Sequence, residues 1–150
     1  MREVQSMRGL NLIALFNKKG DRVLMCTRRK DPYKGLINFP GGKIELGEDG
    51  LTAAYRELEE ETAVTFEDVN LIHLMTFTYP LDNCYVEVYT GRLKEDIDVH
   101  GDENDLFWSR TDHNFFDMSK YAGEGNIGHI MEHIRLARQR LKDIDENTAK

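Results

Sequence analysis

The chain has 150 residues, of which 40% are hydrophobic and 31% charged, the make-up of one globular domain over 1–150 rather than a disordered or fibrous chain. A chain this long buries a core without disulfides or a structural metal. The net charge of −7 disfavours non-specific attraction to nucleic acid or an anionic membrane, and neither is expected as a partner; charge does not choose between a monomer and a homodimer.

In chain order, Leu10–Phe16 reads as a strand. It is the longest apolar run, is broken by Asn11, and is far too short to span a bilayer. Asn17–Asp21 reads as a turn and Arg22–Thr27 as the returning strand. Arg28–Gly35 is a basic loop, and Leu36–Phe39 a short extended piece stopped by Pro40-Gly41-Gly42. Asp49 is placed to cap a helix running to about Thr62. Leu71–Thr78 and Cys84–Leu93 are β-branched and aromatic strands joined by a turn at Pro80 and Asp82-Asn83. Leu106–Arg110 reads as a last short strand. Ile127, Ile130, Met131, Ile134, Ala137, Leu141 and Ile144 recur at helical spacing, so an amphipathic helix closes the chain. This order suggests an α/β (mixed α+β) fold, a mixed sheet with helices packed on it. Cys26 and Cys84 have no metal or redox spacing. With no signal-peptide pattern at the N-terminus, two reduced thiols of a cytoplasmic protein are expected, a disulfide between them being the alternative.

Charge is segregated along the chain. Residues 1–43 carry ten Lys or Arg against three Asp or Glu, and residues 44–70 carry nine acids against one Arg. A basic segment beside an acidic one suits a phosphate ligand and its metal ion, although two solvated surfaces give the same count. On the helix after Asp49, at about 100° per residue, Glu61 lies about 40° to one side of Glu57 and Glu60 about 60° to the other. Leu51, Tyr55, Leu58 and Thr62 fall on a different face, expected to meet the core. Like charges at i,i+3 and i,i+4 cost ~0.2–0.5 kcal/mol per pair in water. At an effective dielectric of 20, two carboxylates ~5.5 Å apart repel by about 3 kcal/mol. Arg56 alone does not neutralise three acids. A hard divalent cation, Mg2+ or Mn2+ rather than zinc, removes the conflict. A bare glutamate-rich helix face, by itself, is more often simply solvated.

Spacing decides between these readings. Gly42, five residues, Glu48, seven residues, then Arg56-Glu57-Leu58-Glu59-Glu60-Glu61-Thr62-Ala63-Val64 resembles the Nudix box, G-x5-E-x7-R-E-U-x-E-E-x-G-U with U aliphatic. Six fixed identities and both aliphatic positions agree over 23 residues, a coincidence expected at a rate on the order of 10⁻⁵ to 10⁻⁶ for a chain this long. The approach Phe39-Pro40-Gly41-Gly42-Lys43 is also similar, and strand order and length fit the family's α/β/α sandwich. One position departs, Ala63 standing where the family usually has Gly. If that position is left-handed, Ala costs about 1 kcal/mol there.

The resemblance implies a Nudix hydrolase of the MutT-like branch, a Mg2+-dependent pyrophosphohydrolase converting a nucleoside triphosphate, such as the oxidised purine 8-oxo-dGTP, to monophosphate and pyrophosphate. Nucleotide sugars and dinucleoside polyphosphates are alternative substrates, and a silent nucleotide-binding regulatory module is an alternative function. By resemblance, Glu57, Glu60 and Glu61 are metal-binding acids and Glu57 the base that activates water. Arg56 orients the acids, Glu48 supports the loop, and Gly42 brings backbone carbonyl close to the metal. Glu103 is the candidate for an acid from a later loop, with Asp102 and Asp105 as rivals. Arg28, Lys43 and Arg29 are candidate phosphate contacts. Asn38 and Asn126 are candidate base readers, or else a turn residue and a helix cap. Tyr121 or Phe116 is the candidate for stacking on a base, or else a core aromatic. His129-Ile130-Met131-Glu132-His133 has the order of an inverted zincin motif, but zinc is not expected because no third ligand is in view.

Overall fold

The computed structural model describes residues 7–148. Strand β1 (Arg8–Phe16) is its axis. Strand alternation sends Leu10, Leu12, Ala14 and Phe16 to one face of the sheet and Ile13 and Leu15 to the other. The Asn17 side chain accepts from the N–H groups of Gly20 (2.9 Å) and Arg22 (3.1 Å) and so closes the turn into β2 (Arg22–Thr27). After the basic loop come β3 (Ile37–Asn38) and β4 (Gly41–Ile44). Helix α1 (Gly50–Thr62) follows, then β5 (Ile72–Tyr79), a 3-10 turn at Pro80–Asp82, β6 (Cys84–Arg92), β7 (Asp105–Arg110) and helix α2 (Asn126–Thr148).

The strands form one mixed sheet in the order β3-β2-β1-β6-β5, with β4 also pairing β1 and β7 pairing β2. The β1–β6 pair is parallel over Arg8–Phe16 and the other pairs are antiparallel. Because β6 occupies one edge of β1 along its whole length, β4 and β2 share the opposite edge. One face buries Ile13, Leu15, Leu24 and Tyr89 against Ala54 and Leu58 of α1. The other buries Ala14, Phe16, Val23 and Met25 against Ile127, Ile130 and Ile134 of α2. This is the expected α/β/α sandwich. Both cysteines are buried and free. Among the described residues, no helix is long and apolar enough to cross a membrane.

Three expectations are corrected. β3 does end before Pro40-Gly41-Gly42, at Asn38, but Gly41 and Gly42 are the start of another strand and not a turn. Gly41–Ile44 pairs with β1 through Gly9↔Ile44 to Leu12↔Gly41, and the Pro40 carbonyl accepts the Ile13 N–H at 2.8 Å. A Cβ on residue 41 would lie 2.0 Å from the Asn11 carbonyl oxygen, so glycine is what lets the two backbones close. The apolar stripe of α2 ends at Ile134, because Ala137 and Leu141 are exposed beyond the edge of the core. Ile144 lies outside the residues whose side chains are described. On α1, Leu51 is exposed, and Ala53 and Ala54 are buried in its place. That rotates the buried stripe toward Glu57 and Glu61, with consequences for their charge.

Candidate active site

Helix α1 starts as expected, with the Asp49 carboxylate accepting the Thr52 N–H at 3.2 Å. The small side chains Ala53 and Ala54 are both fully buried, and Ala54 packs in the cluster of Ile13 and Leu15. Glu57 and Glu61, one and two turns further along the same side, are therefore drawn partly under the helix, while Glu60 stays outside. The Glu57 side chain is 13% exposed and that of Glu60 58% exposed.

Arg56 is the hub. Its Nε and Nη2 donate to the two carboxylate oxygens of Glu48 at 2.8 and 2.9 Å, a bidentate pair. Nη2 also donates to the Lys43 carbonyl at 2.9 Å. Nη1 donates to Glu57 at 3.0 Å and to Glu60 at 3.3 Å. One guanidinium thus ties the β4–α1 loop to the acidic face of the helix. The hydrogen-bonded Arg56 guanidinium holds the Glu48 carboxyl down at about 2.

The remaining acids are less well compensated. Burial raises the Glu57 carboxyl above its ordinary value, opposed by Arg56 and reinforced by the charges of Glu60 and Glu103. Glu61 is pushed up to about 7, chiefly by burial and further by Glu57 and Glu103, although it accepts the Gly41 N–H at 3.1 Å. Gly42 sits directly over Glu57: a Cβ there would fall 2.3 Å from the carboxylate. The loop before β7 closes the far side. The His100 N–H donates to the Thr62 carbonyl at 3.1 Å, and a Cβ on Gly101 would be 1.9 Å from the Glu61 carbonyl oxygen. A cleft results, lined by Glu57, Glu60, Glu61, His100, Asp102 and Glu103.

Of the three acids considered for the later loop, Glu103 and Asp102 reach this cleft, whereas Asp105 is paired with Arg29. That pairing also engages Arg29. Arg28 donates from Nε to the Pro32 carbonyl at 2.6 Å and is near enough to lower the Glu61 carboxyl. The Lys43 side chain is exposed. Asn38 uses its amide oxygen on the Phe39 N–H at 2.9 Å, a local turn-type contact. Asn126 is the first residue of α2, and its amide donates to the Tyr79 hydroxyl. Tyr121 is buried against Phe115 in the core, so it is no stacking surface, whereas Phe116 is exposed. His129 and His133 have ring centroids 6.4 Å apart, and Glu132 pairs with Arg135.

The exit of α1 adopts the strained conformation that the Gly-to-Ala departure raised: Ala63 has φ 68° and ψ 7°, left-handed. Among the described residues, no three His, Cys, Asp or Glu side chains already converge as ligands of one ion would. The acids of α1 are held by Arg56 and the Gly41 N–H instead.

One residue of the site was missed from sequence. Asn11 is 1% exposed on the α1 face of β1, and its Oδ1 accepts the Gly42 N–H at 2.9 Å. Its Nδ2 is buried with no hydrogen-bond partner, a state that costs ~1–3 kcal/mol. A polar residue inside the run Leu10–Phe16 was the available signal.

A model described as the NUDIX domain matches residues 6–128. The chain is 45% identical over 60 residues to an RNA pyrophosphohydrolase of Pelagibacter ubique, a stretch covering 40% of this chain and 35% of that protein. It is 29% identical over 69 residues to the 8-oxo-dGTP diphosphatase of Escherichia coli, covering 45% of this chain and 54% of that protein. The chain thus spans about a third to a half of the length of these curated relatives. Among solved structures, the NUDIX domain of Shewanella oneidensis NrtR, complexed with ADP ribose, superposes with a TM-score of 0.69 at 21% identity, covering 92% of this chain and 90% of that one.

Proposed function

The chain belongs to the NUDIX domain family, matched over residues 6–128, and from that premise we propose that it is a Mg2+-dependent pyrophosphohydrolase acting on a nucleoside triphosphate. The observation that carries this reading is the Arg56 hub, which gathers Glu48, Glu57 and Glu60 beside a Glu61 carboxyl raised to about 7. Such a cluster has more negative charge than its own cation balances, and its donors are hard oxygens. Both properties fit Mg2+, with Mn2+ as a substitute, and Glu57, Glu60, Glu61, Glu103 and the Gly42 carbonyl would hold it. When bound, the ion neutralises phosphate oxygens and lowers the pKa of water.

The chain's own residues supply the rest. Glu57, half-buried and raised in pKa, is suited to take the proton of the attacking water. Arg56 orients that carboxylate and is itself fixed by Glu48. Arg28 and Lys43 supply positive charge for the phosphates. Water adds at phosphorus, the P–O bond to the departing diphosphate breaks, and the products are a monophosphate, pyrophosphate and a proton. For the base, Asn126 and Asn38 are the candidate readers, each with one end of its amide engaged: Asn126 donates to the Tyr79 hydroxyl. Asn38 has its amide oxygen engaged locally. An oxidised purine such as 8-oxo-dGTP is the substrate we favour, in line with the name of the Escherichia coli relative.

The test is chromatographic identification of the products formed from a panel of nucleoside triphosphates, dinucleoside polyphosphates, ADP-ribose and nucleotide sugars, with Mg2+ and with chelator, pyrophosphate being the product expected from a triphosphate. Turnover of a triphosphate only with metal is expected. Cleavage confined to ADP-ribose-like or dinucleoside substrates would replace the triphosphate assignment. Tight nucleotide binding with no turnover on any substrate would make the chain a regulatory module.

A further inference from the structure

We propose that Asn11 is a positioning residue of this acidic site, holding the Gly42 peptide against Glu57 and keeping a free N–H donor for the metal-loaded state. The inference rests on the metal reading given above and adds a residue outside the Nudix box.

The argument is one of alignment. Asn11 pairs with Gly42 in the β1–β4 ladder and with Glu87 in the β1–β6 ladder. Strand alternation puts its side chain on the face that carries Ile13 and Leu15, beneath α1. From there Oδ1 accepts the Gly42 N–H, and the Gly42 backbone in turn abuts the Glu57 carboxylate. Asn11, Gly42 and Glu57 thus form one stack, with the side chain of β1 setting the height of the β4 backbone under the acid. A hydrophobic residue of similar size would fill the same space and remove the orphaned amide, at the cost of leaving the Gly42 N–H without its acceptor. Asn11 instead keeps Nδ2 buried and unpartnered, although Glu87, a carboxylate, is its neighbour on β6. A donor left over in a region crowded with carboxylates has an obvious use. If a cation draws Glu57 away from Arg56, the carboxylate oxygen not bound to the cation, or a water beside it, needs a neutral donor from the sheet side. A neutral amide supplies that hydrogen bond without adding a charge that competes with the cation.

The experiment measures Mn2+ binding to the full chain by the electron paramagnetic resonance of free Mn2+, for wild type, Asn11→Leu and Asn11→Ser. Thermal melts without metal and steady-state kinetics with Mg2+ run alongside. Asn11→Leu removes the orphaned amide but also the acceptor of the Gly42 N–H, so its metal-free melting temperature is expected within a few degrees of that of wild type. Its Mn2+ affinity should fall tenfold or more, and kcat should drop with KM nearly unchanged. Asn11→Ser, which keeps a hydroxyl for the Gly42 N–H, should lie between the two. If Asn11→Leu folds and binds Mn2+ as wild type does, Asn11 is only a sheet residue and the inference fails. If Asn11→Leu does not fold, Asn11→Ser decides in the same way: weakened Mn2+ binding by a folded variant supports the inference, and unchanged binding overturns it. Absence of Mn2+ binding by wild type is a separate outcome, which sinks the metal reading itself and this inference with it.

Discussion

Glu61 carries the clearest energetic conflict in the molecule. Its carboxyl is raised from 4.5 to about 7, with burial the largest cause. For an acid raised by folding, the protonated form is the one the fold favours. The native state therefore loses stability as pH rises from about 4.5, and the loss is complete above about 7. A shift of this size corresponds to about 3 kcal/mol. Glu61→Gln should accordingly stabilise the metal-free protein by up to about 3 kcal/mol at pH 8 and change little at pH 4, since a glutamine oxygen can still accept the Gly41 N–H. Denaturant melts at the two pH values test this, and equal effects at both would contradict it. Glu60 differs in being largely exposed. Glu60→Gln should leave the melting temperature within a degree or two and cut turnover by about a hundredfold or more. An unchanged rate would remove Glu60 from the metal site.

At the scale of elements, both ends of α1 make predictions. Asp49→Ala removes the N-cap oxygen that accepts the Thr52 N–H and should cost about 1 kcal/mol. Ala63 holds a left-handed backbone that its side chain disfavours. Ala63→Gly should therefore gain up to about 1 kcal/mol, somewhat reduced by the greater freedom of glycine in the unfolded chain. A melting temperature lowered by Ala63→Gly would mean that the alanine methyl contributes packing that offsets the strain. The same elements show what could be read beforehand. Asp49 and the helix to Thr62 were legible because capping acts within a few residues, whereas the left-handed exit was raised only by the resemblance to a box with Gly at position 63. The second life of Pro40-Gly41-Gly42 as the entry to β4 was not, because that strand exists only through its pairing with Leu10 and Asn11, some thirty residues earlier. Leu51 misled because periodicity orders residues around a helix but does not say which angle meets the sheet. The alanines at 53 and 54 set that angle, and they brought Glu57 and Glu61 inward.

At the scale of the whole molecule, the sandwich places the acidic face of α1, the glycines of β4 and the loop before β7 around one cleft. The charge segregation visible along the chain becomes a spatial one only in part. Arg56 and Arg28 join the acids, whereas Arg29 is engaged by Asp105 and Lys43 points to solvent. The box acids were legible through their fixed spacing. Asn11 was not, since its role comes from the register of two strands, and Tyr121 stayed open between base stacking and the core until packing placed it in the core, because an aromatic's burial is decided by tertiary structure. A cation that binds only the folded chain should stabilise it by about 2.7 kcal/mol at a hundredfold excess over its Kd. Mg2+ should therefore raise the melting temperature of wild type, with chelator reversing the effect and Glu60→Gln abolishing most of it.

The most direct test is a crystal soaked with Mg2+ and a non-hydrolysable nucleoside triphosphate. The account predicts an octahedral ion about 2.0–2.1 Å from oxygens of Glu57, Glu60 or Glu61, with phosphate oxygens completing the shell and Glu57 turned away from Arg56. An ion bound elsewhere, or a nucleotide bound with the Arg56–Glu57 pair intact and no metal on α1, would contradict it.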